Sequence, residues 1–220
     1  MSEGEALTID VVSDVVCPWC YLGKRRLEQA IAQTEGPITV RWRPYQLDPT
    51  IPEGGLDRRA YMKNKFGDDA RLAAIHDRLT ALGEDVGITY NFNAISRSPN
   101  TLDAHRLIRW AAGAQVQDKV VERLFHLYFV EGRDISERAQ LVEVARESGM
   151  DGDIVAALLA EGRDAEAVQQ EIAQAQSIGV TGVPFFIFAS RLGVPGAQDT
   201  DVLAQAIAQA RAGLSGVEVA

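Results

Sequence analysis

The stretch VVSDVVCPWCYLGKRRLE, Val11 to Glu28, holds the only two cysteines of the chain, Cys17 and Cys20. What precedes and follows them constrains the fold more than any other feature. ALTIDVV alternates apolar and polar residues, the signature of a strand. After the cysteines, Leu27, Ala30 and Ile31 recur at helical spacing, and Gly36–Pro37 ends that run. ITVRWRPYQ then reads as a second strand. The two sulfurs therefore sit where a strand hands over to a helix in a compact strand–helix–strand unit.

The middle of the chain changes character. From about Leu56 to Ile178 the apolar pattern is helical, in RLAAIHDRLTALGEDVG, in SPNTLDAHRLIRWAA with Ala104, Leu107, Ile108 and Ala111 on one face, and in VVERLFHLYF. Ser136 reads as a helix N-cap and Gly149 as a stop, and another helix is expected over Glu166–Ile178. GVPFFIFASRLGVPGA restores the strand pattern in two short pieces around Ala189 to Arg191, and a last helix is expected from about Thr200 to Arg211. An α/β unit is thus interrupted by a helical insertion and then completed. The expected boundaries are 1–56 for the first part, 57–178 for the insertion and 179–220 for the second part.

Composition narrows the chemistry. With 22 Lys plus Arg against 31 Asp plus Glu, the net charge is -9, which argues against nucleic-acid binding built on clustered cations. No stretch approaches the roughly 20 apolar residues of a membrane span. MSEGEALTID lacks the basic start and apolar run of a signal peptide. A cytoplasmic setting is expected, where a close cysteine pair is more often catalytic or metal-binding than structural. Zinc needs about four ligands, and the three histidines, His76, His105 and His126, fall on separate helical segments. No metal site is expected, although a structural disulfide, a zinc pair and two inert thiols all remain open at this stage.

The redox reading has a physical basis. Cys17 falls where a helix begins, and the first backbone N–H groups of a helix have no partner within it. They favour negative charge, and Pro18 suits a first helical turn. A thiolate at Cys17 is the natural attacking group. Cys20, one turn on, shares a face with Leu27 and Ile31 that should pack on the sheet. Cys17 is expected to be exposed and to attack, and Cys20 to be more buried and to resolve the mixed disulfide.

Taken together, CPWCYLGKRRLE, WRPYQLDP, PNTLDAHRLI, GVPFF and GAQ resemble the DsbA-like branch of the thioredoxin fold, most closely its FrnE-like members. The resemblance covers almost the whole chain. It implies a thioredoxin-like α/β fold with a large all-helical insertion and thiol–disulfide oxidoreductase chemistry at Cys17 and Cys20. It also implies a cis Val183–Pro184 peptide beside the cysteines, with Val183 offering its backbone to a bound substrate; Pro18 and Trp19 complete the contact surface. X-Pro is the only common route to a cis bond. Trp19 stands where DsbA has histidine, and it carries no charge, so a weaker oxidant than DsbA is expected. Without an export signal, a cytosolic reductant or isomerase of disulfides is as well supported as an oxidant.

The same branch contains the 2-hydroxychromene-2-carboxylate isomerases and the kappa-class glutathione transferases, which resemble this chain but typically carry serine where it has Cys17. A glutathione-dependent isomerase or transferase is therefore the competing function. In that reading Asn100 or Thr101 faces the cysteines, and Gly196, Ala197 and Gln198 hold an anionic group at the start of the last helix. Asn100 also suits a helix N-cap. No tightly bound cofactor is expected, with glutathione serving as reductant or ligand. The expected partner is a protein or small-molecule disulfide or dithiol, and homodimerisation is left open. Lys24, Arg25 and Arg26 read as a solvated helix face, and Trp42, Tyr45 and Trp110 as core.

Overall fold

A computed structural model describes residues 6–215. Strand β1 (Leu7–Ser13) is followed by α1 (Pro18–Ala32) and β2 (Ile38–Pro44). The chain returns to the same sheet with β5 (Phe185–Phe188) and β6 (Leu192–Pro195) before α9 (Thr200–Ser215). The sheet order is β2-β1-β5-β6, with β1 parallel to β2 and antiparallel to β5. A parallel β1–β2 pair needs a crossover, and α1 supplies it. This is the α/β architecture expected from the sequence, with an insertion that is helical apart from one short ribbon.

Register sorts the side chains into two layers, because residues opposite each other on paired strands share a face. Ile9 lies opposite Phe188 and Val11 opposite Phe186. All four are buried in one cluster with Cys20, Leu27 and Ala30 of α1 and Leu203 and Ile207 of α9. Val12 lies opposite Phe185 and points the other way, into a smaller cluster with Tyr45, Ala175 and Val180. α1 packs along α9. One turn inside α1, Gly23 passes so close to the second half of the fold that a Cβ there would lie 3.0 Å from Pro184 Cγ and 3.1 Å from Phe186 Cζ.

The insertion comprises α2 (Arg58–Phe66), α3 (Asp69–Glu84), α4 (Leu102–Gly113), α5 (Gln117–Phe129), α6 (Arg138–Ser148), α7 (Gly152–Ala160) and α8 (Ala165–Ser177). It is not wholly helical: β3 (Leu56–Asp57) and β4 (Arg97–Ser98) form a two-stranded antiparallel ribbon. Pieces this short carry no periodic signal, so the sequence pattern missed them. The insertion also shares the main core. Leu107, Leu124, Phe125 and Phe129 belong to the same cluster as Val11 and Tyr21, and Tyr21 stacks on Phe125 at 5.0 Å.

Two local expectations need correction. Ser136 is not an N-cap, because α6 begins at Arg138 behind Glu137. Ser136 instead gives its N–H and hydroxyl to Asp134 Oδ1 in the preceding turn. Gly149 does end that helix, in the left-handed conformation. The basic run of α1 is not a solvated face either. The Lys24 side chain is only 2% exposed, with its ammonium held by Glu28, Asp118 and Glu122, and Arg26 is tied to Asp199 and to the Ala197 carbonyl. A helical-wheel reading sees only α1; it cannot see that α5 closes over this side and supplies Asp118 and Glu122. Trp42 and Tyr45 are buried, and Trp110 is half-buried with its indole N–H on Asp164.

The close passage at Gly23 makes a direct prediction. In an open helix Gly→Ala gains roughly 0.5–1 kcal/mol. Here neither neighbour yields readily: Pro184 O accepts the Gly196 N–H at 2.8 Å, and Phe186 is fully buried. Gly23→Ala should therefore lower stability, by about 1 kcal/mol or more through overpacking. Denaturant unfolding checks it; a gain in stability would show that the Pro184 turn moves freely.

Candidate active site

Cys17 is the N-cap of α1, with extended backbone, and Pro18 opens the helix. The Cys17 carbonyl accepts the first helical bonds from Cys20 N–H at 3.0 Å and Tyr21 N–H at 3.4 Å, while its own N–H donates to Asp14 O at 3.0 Å. The Sγ does not cap the helix. It lies 3.6 Å from the carbonyl oxygen of Val183, and the Val183–Pro184 peptide is cis. Both thiols are free. Helix start, cysteine pair and cis-proline turn thus meet at one point, although Cys17 and Val183 are far apart in sequence.

The expected exposure of Cys17 does not hold. It is 4% exposed and Cys20 1% exposed. The difference between them is one of access: Cys17 lines a pocket that opens to the surface and Cys20 does not. The insertion roofs the pair. Tyr90 donates its hydroxyl to Pro18 O at 2.7 Å, and the Arg78 guanidinium of α3 lies over the Trp19 ring at 5.6 Å. Burial, and then the charge of Cys17, push the Tyr90 phenol far above its usual range, so it remains a donor.

Burial pushes the Cys20 thiol well up, and the hydrogen bond and charge of Cys17 push it further. Two of these causes come from Cys17 itself.

The cavity beside Cys17 has a volume of about 330 Å³ and lies between the α1 start, α2, α3, the β4–α4 turn and the Val183 loop. Its wall is mainly apolar, with Leu47, Ile51, Met62, Phe66, Ile75 and Leu79. Sequence reasoning missed its polar members. Asp14 is buried, with Oδ2 accepting the Leu47 N–H at 2.8 Å and Oδ1 3.3 Å from His105 Nε2. Arg58, at the start of α2, reaches Tyr128 Oη of α5 at 2.9 Å. His76 stacks on Phe92 at 4.0 Å, and burial, then the charge of Arg58, lower its pKa. No periodicity marks these residues, because what gathers them is the approach of α2, α3 and α5.

Of the residues singled out from sequence, Cys17, Pro18, Trp19 and Val183 line this cavity, and Pro184 adjoins it. Asn100 is engaged elsewhere: Nδ2 donates to Ile51 O at 2.6 Å, and Oδ1 accepts from Leu102 N–H and Gln46 Nε2. Its neighbour Thr101, the N-cap of α4, lines the cavity. Gly196, Ala197 and Gln198 precede α9 rather than begin it. The Gly196 N–H goes to Pro184 O and the Gln198 N–H to Gly196 O, while Ala197 O accepts from Arg26. That segment props the cis-proline turn.

The arrangement matches a known family model, the DSBA-like thioredoxin domain, over residues 8–208. The chain belongs to this family. The crystal structure of a probable DsbA oxidoreductase, SCO1869 from Streptomyces coelicolor, superposes with a TM-score of 0.89 at 30% identity, covering 97% of this chain and 94% of that one. The Bacillus subtilis protein YwbO is 29% identical over 201 residues, 90% of this chain and 94% of YwbO. The cytosolic disulfide reductase DsbM from Pseudomonas aeruginosa, solved with GSH, shares the fold at a TM-score of 0.61 and 19% identity, covering 94% of this chain and 97% of DsbM. Among the described residues, no helix is long and apolar enough to cross a membrane.

The raised Cys20 pKa has a consequence for stability. A free thiol in the unfolded chain ionises near about pH 8.5, whereas folded Cys20 holds its proton well above that. Between the two values the folded state binds more protons, so stability is full below the unfolded pKa and is lost as pH rises toward the folded one. For the reduced protein, unfolding free energy should fall above about pH 8.5, and Cys20→Ser should flatten that slope. Denaturant titrations across this range, run under reductant, measure it; an unchanged slope would mean that Cys20 is not the group responsible.

Proposed function

We propose that this protein is a thiol–disulfide oxidoreductase in which Cys17 attacks and Cys20 resolves. The observation that carries the reading is the position of Cys17 Sγ, 3.6 Å from Val183 O at a cis-proline turn, with a second thiol one helical turn behind it. The Cys17 thiolate displaces one sulfur of a substrate disulfide, forming a mixed disulfide and releasing one thiol. Cys20 then attacks Cys17 Sγ, closing the intramolecular disulfide and releasing the second thiol. The substrate gains two electrons and the protein loses two. Run backwards, the same steps oxidise a dithiol.

Net reduction in a cytoplasmic setting is the direction we favour. Trp19 puts no charge between the cysteines, which leaves a reduced form less stabilised than that of a strongly oxidising relative. Glutathione is proposed as the reductant that resets the pair, a role consistent with the fold shared with DsbM. Asn100 and the Gly196–Gln198 segment are not assigned to ligand binding in this proposal, because their polar groups already serve the chain.

The test pairs redox titration with variants. In glutathione buffers, quenched by alkylation and read by mass, the wild-type pair should show one reversible two-electron transition. Cys17→Ser should abolish insulin reduction, and Cys20→Ser should accumulate a covalent mixed disulfide on Cys17. Thiols that stay reduced throughout would sink the proposal. The competing glutathione-dependent isomerase needs no resolving thiol, so isomerisation that survives Cys20→Ser would favour it instead.

A further inference from the structure

Arg58 is an anomaly in the cavity beside Cys17. It is 7% exposed, yet among the described residues no carboxylate pairs with it. Its one side-chain hydrogen bond runs from Nη1 to Tyr128 Oη at 2.9 Å, and its guanidinium lies 5.8 Å from the Tyr128 ring centre. Nε and Nη2 have no hydrogen-bond partner among the described residues, and Arg58 lines the cavity. A buried charge without a counter-charge is expensive. The location adds to the cost, since Arg58 opens α2, where the helix dipole disfavours a cation.

Two carboxylates share the cavity with Arg58, but neither pairs with it directly. Asp14 spends its oxygens on the Leu47 N–H and His105. Asp48 accepts from the Thr50 N–H and hydroxyl and from Tyr61. Lys65, at the exposed rim, donates to Tyr61 and adds a second cation. The rest of the wall is mostly apolar, with His76, Ser98, Thr101 and the Tyr61 and Tyr128 phenols among it. A mostly buried guanidinium with two free donor groups, set in a largely apolar pocket that also holds Cys17, favours an anionic group on an apolar body.

We propose that the cavity takes a small organic disulfide, or the thiol made from it, that joins an apolar body to a carboxylate, and that Arg58 is the residue that binds the carboxylate. The proposal rests on the thiol–disulfide reading and names its substrate class. The carboxylate accepts from Nε and Nη2, the pair of donors that suits bidentate binding, while the apolar body fills the space toward Leu79 and Ile75. Cys17 breaks the S–S bond of this ligand, the first thiol leaves, and Cys20 releases the second as the Cys17–Cys20 disulfide closes. The two protons carried away by the product thiols replace those lost by the two cysteines.

Stopped-flow oxidation of the reduced protein tests this with two aryl disulfides. Dithiobis(nitrobenzoate) carries a carboxylate on each ring, and dithiodipyridine is neutral. The ratio of their rate constants within one protein cancels any general change in Cys17 reactivity. That ratio should fall by about tenfold or more in Arg58→Gln, the scale of a lost charge-assisted hydrogen bond, and recover in part in Arg58→Lys. Equal ratios in wild type, Arg58→Gln and Arg58→Lys would overturn the proposal while leaving the redox reading intact.

A second measurement uses wild type alone and holds even if the variants do not fold. Phenylacetate, but not phenylacetamide, should slow alkylation of Cys17 by iodoacetamide; equal protection, or none, would overturn the anion site. If neither disulfide oxidises the pair, the thiol–disulfide reading falls, and with it the proposed substrate class.

Discussion

The contact of Pro184 with Gly23 holds the site together. Two parts of the chain, one before the insertion and one after it, meet where a helix has no side chain to keep them apart. A Cβ at Gly23 would lie 3.0 Å from the proline ring, so the missing methyl sets how near the Val183 carbonyl comes to Cys17 Sγ. The sheet supplies the frame: β5 pairs with β1 so that Phe185 lies opposite Val12, and the peptide just before Phe185 is delivered beside the α1 start. The Gly196 N–H then closes on Pro184 O from the far side. The geometry of the sulfur follows from packing and backbone hydrogen bonds, and the chemistry follows from the geometry.

Two buried cations show how the fold handles charge. Lys24 lies between α1 and α5 with carboxylates from both helices around it, and Trp42 donates to one of them. That cation is compensated within the protein and ties the insertion to the thioredoxin-like core. Arg58 is buried nearly as deeply but has a phenol for a partner and open space in front of it. Comparable burial thus goes with opposite direct compensation: carboxylates at Lys24, a phenol at Arg58.

The insertion does more than cover. It carries Tyr90, whose hydroxyl fixes the Pro18 carbonyl, and Arg78, which lies on Trp19. It thereby turns a cysteine at a helix start, a position usually open to solvent, into one reached through a chamber. Burial, and then Cys17, push the Cys20 thiol pKa up. The cavity beside Cys17 and the cover over Trp19 thus share one cause, the seating of α2 and α3 over the start of α1.

The sequence by itself determined the strand–helix–strand opening, the helical interruption, the returning strands and the pair of sulfurs at a helix N-terminus. These depend on local periodicity and on turn residues such as Gly36, Pro37 and Gly149, which act over a few neighbours. It pointed to Cys17 and Cys20, since motif spacing is also local, and to Val183–Pro184 through the family resemblance. It could not show that Cys17 is enclosed, that Lys24 is buried, that Asn100 is committed to Gln46 and Ile51, or that Arg58 lines the same cavity as Cys17. Those properties depend on which faces of distant helices come together: Arg58 meets Tyr128, and Lys24 meets Asp118, across long stretches of chain. Burial and charge compensation are sums over such neighbours, so only the tertiary structure decided them.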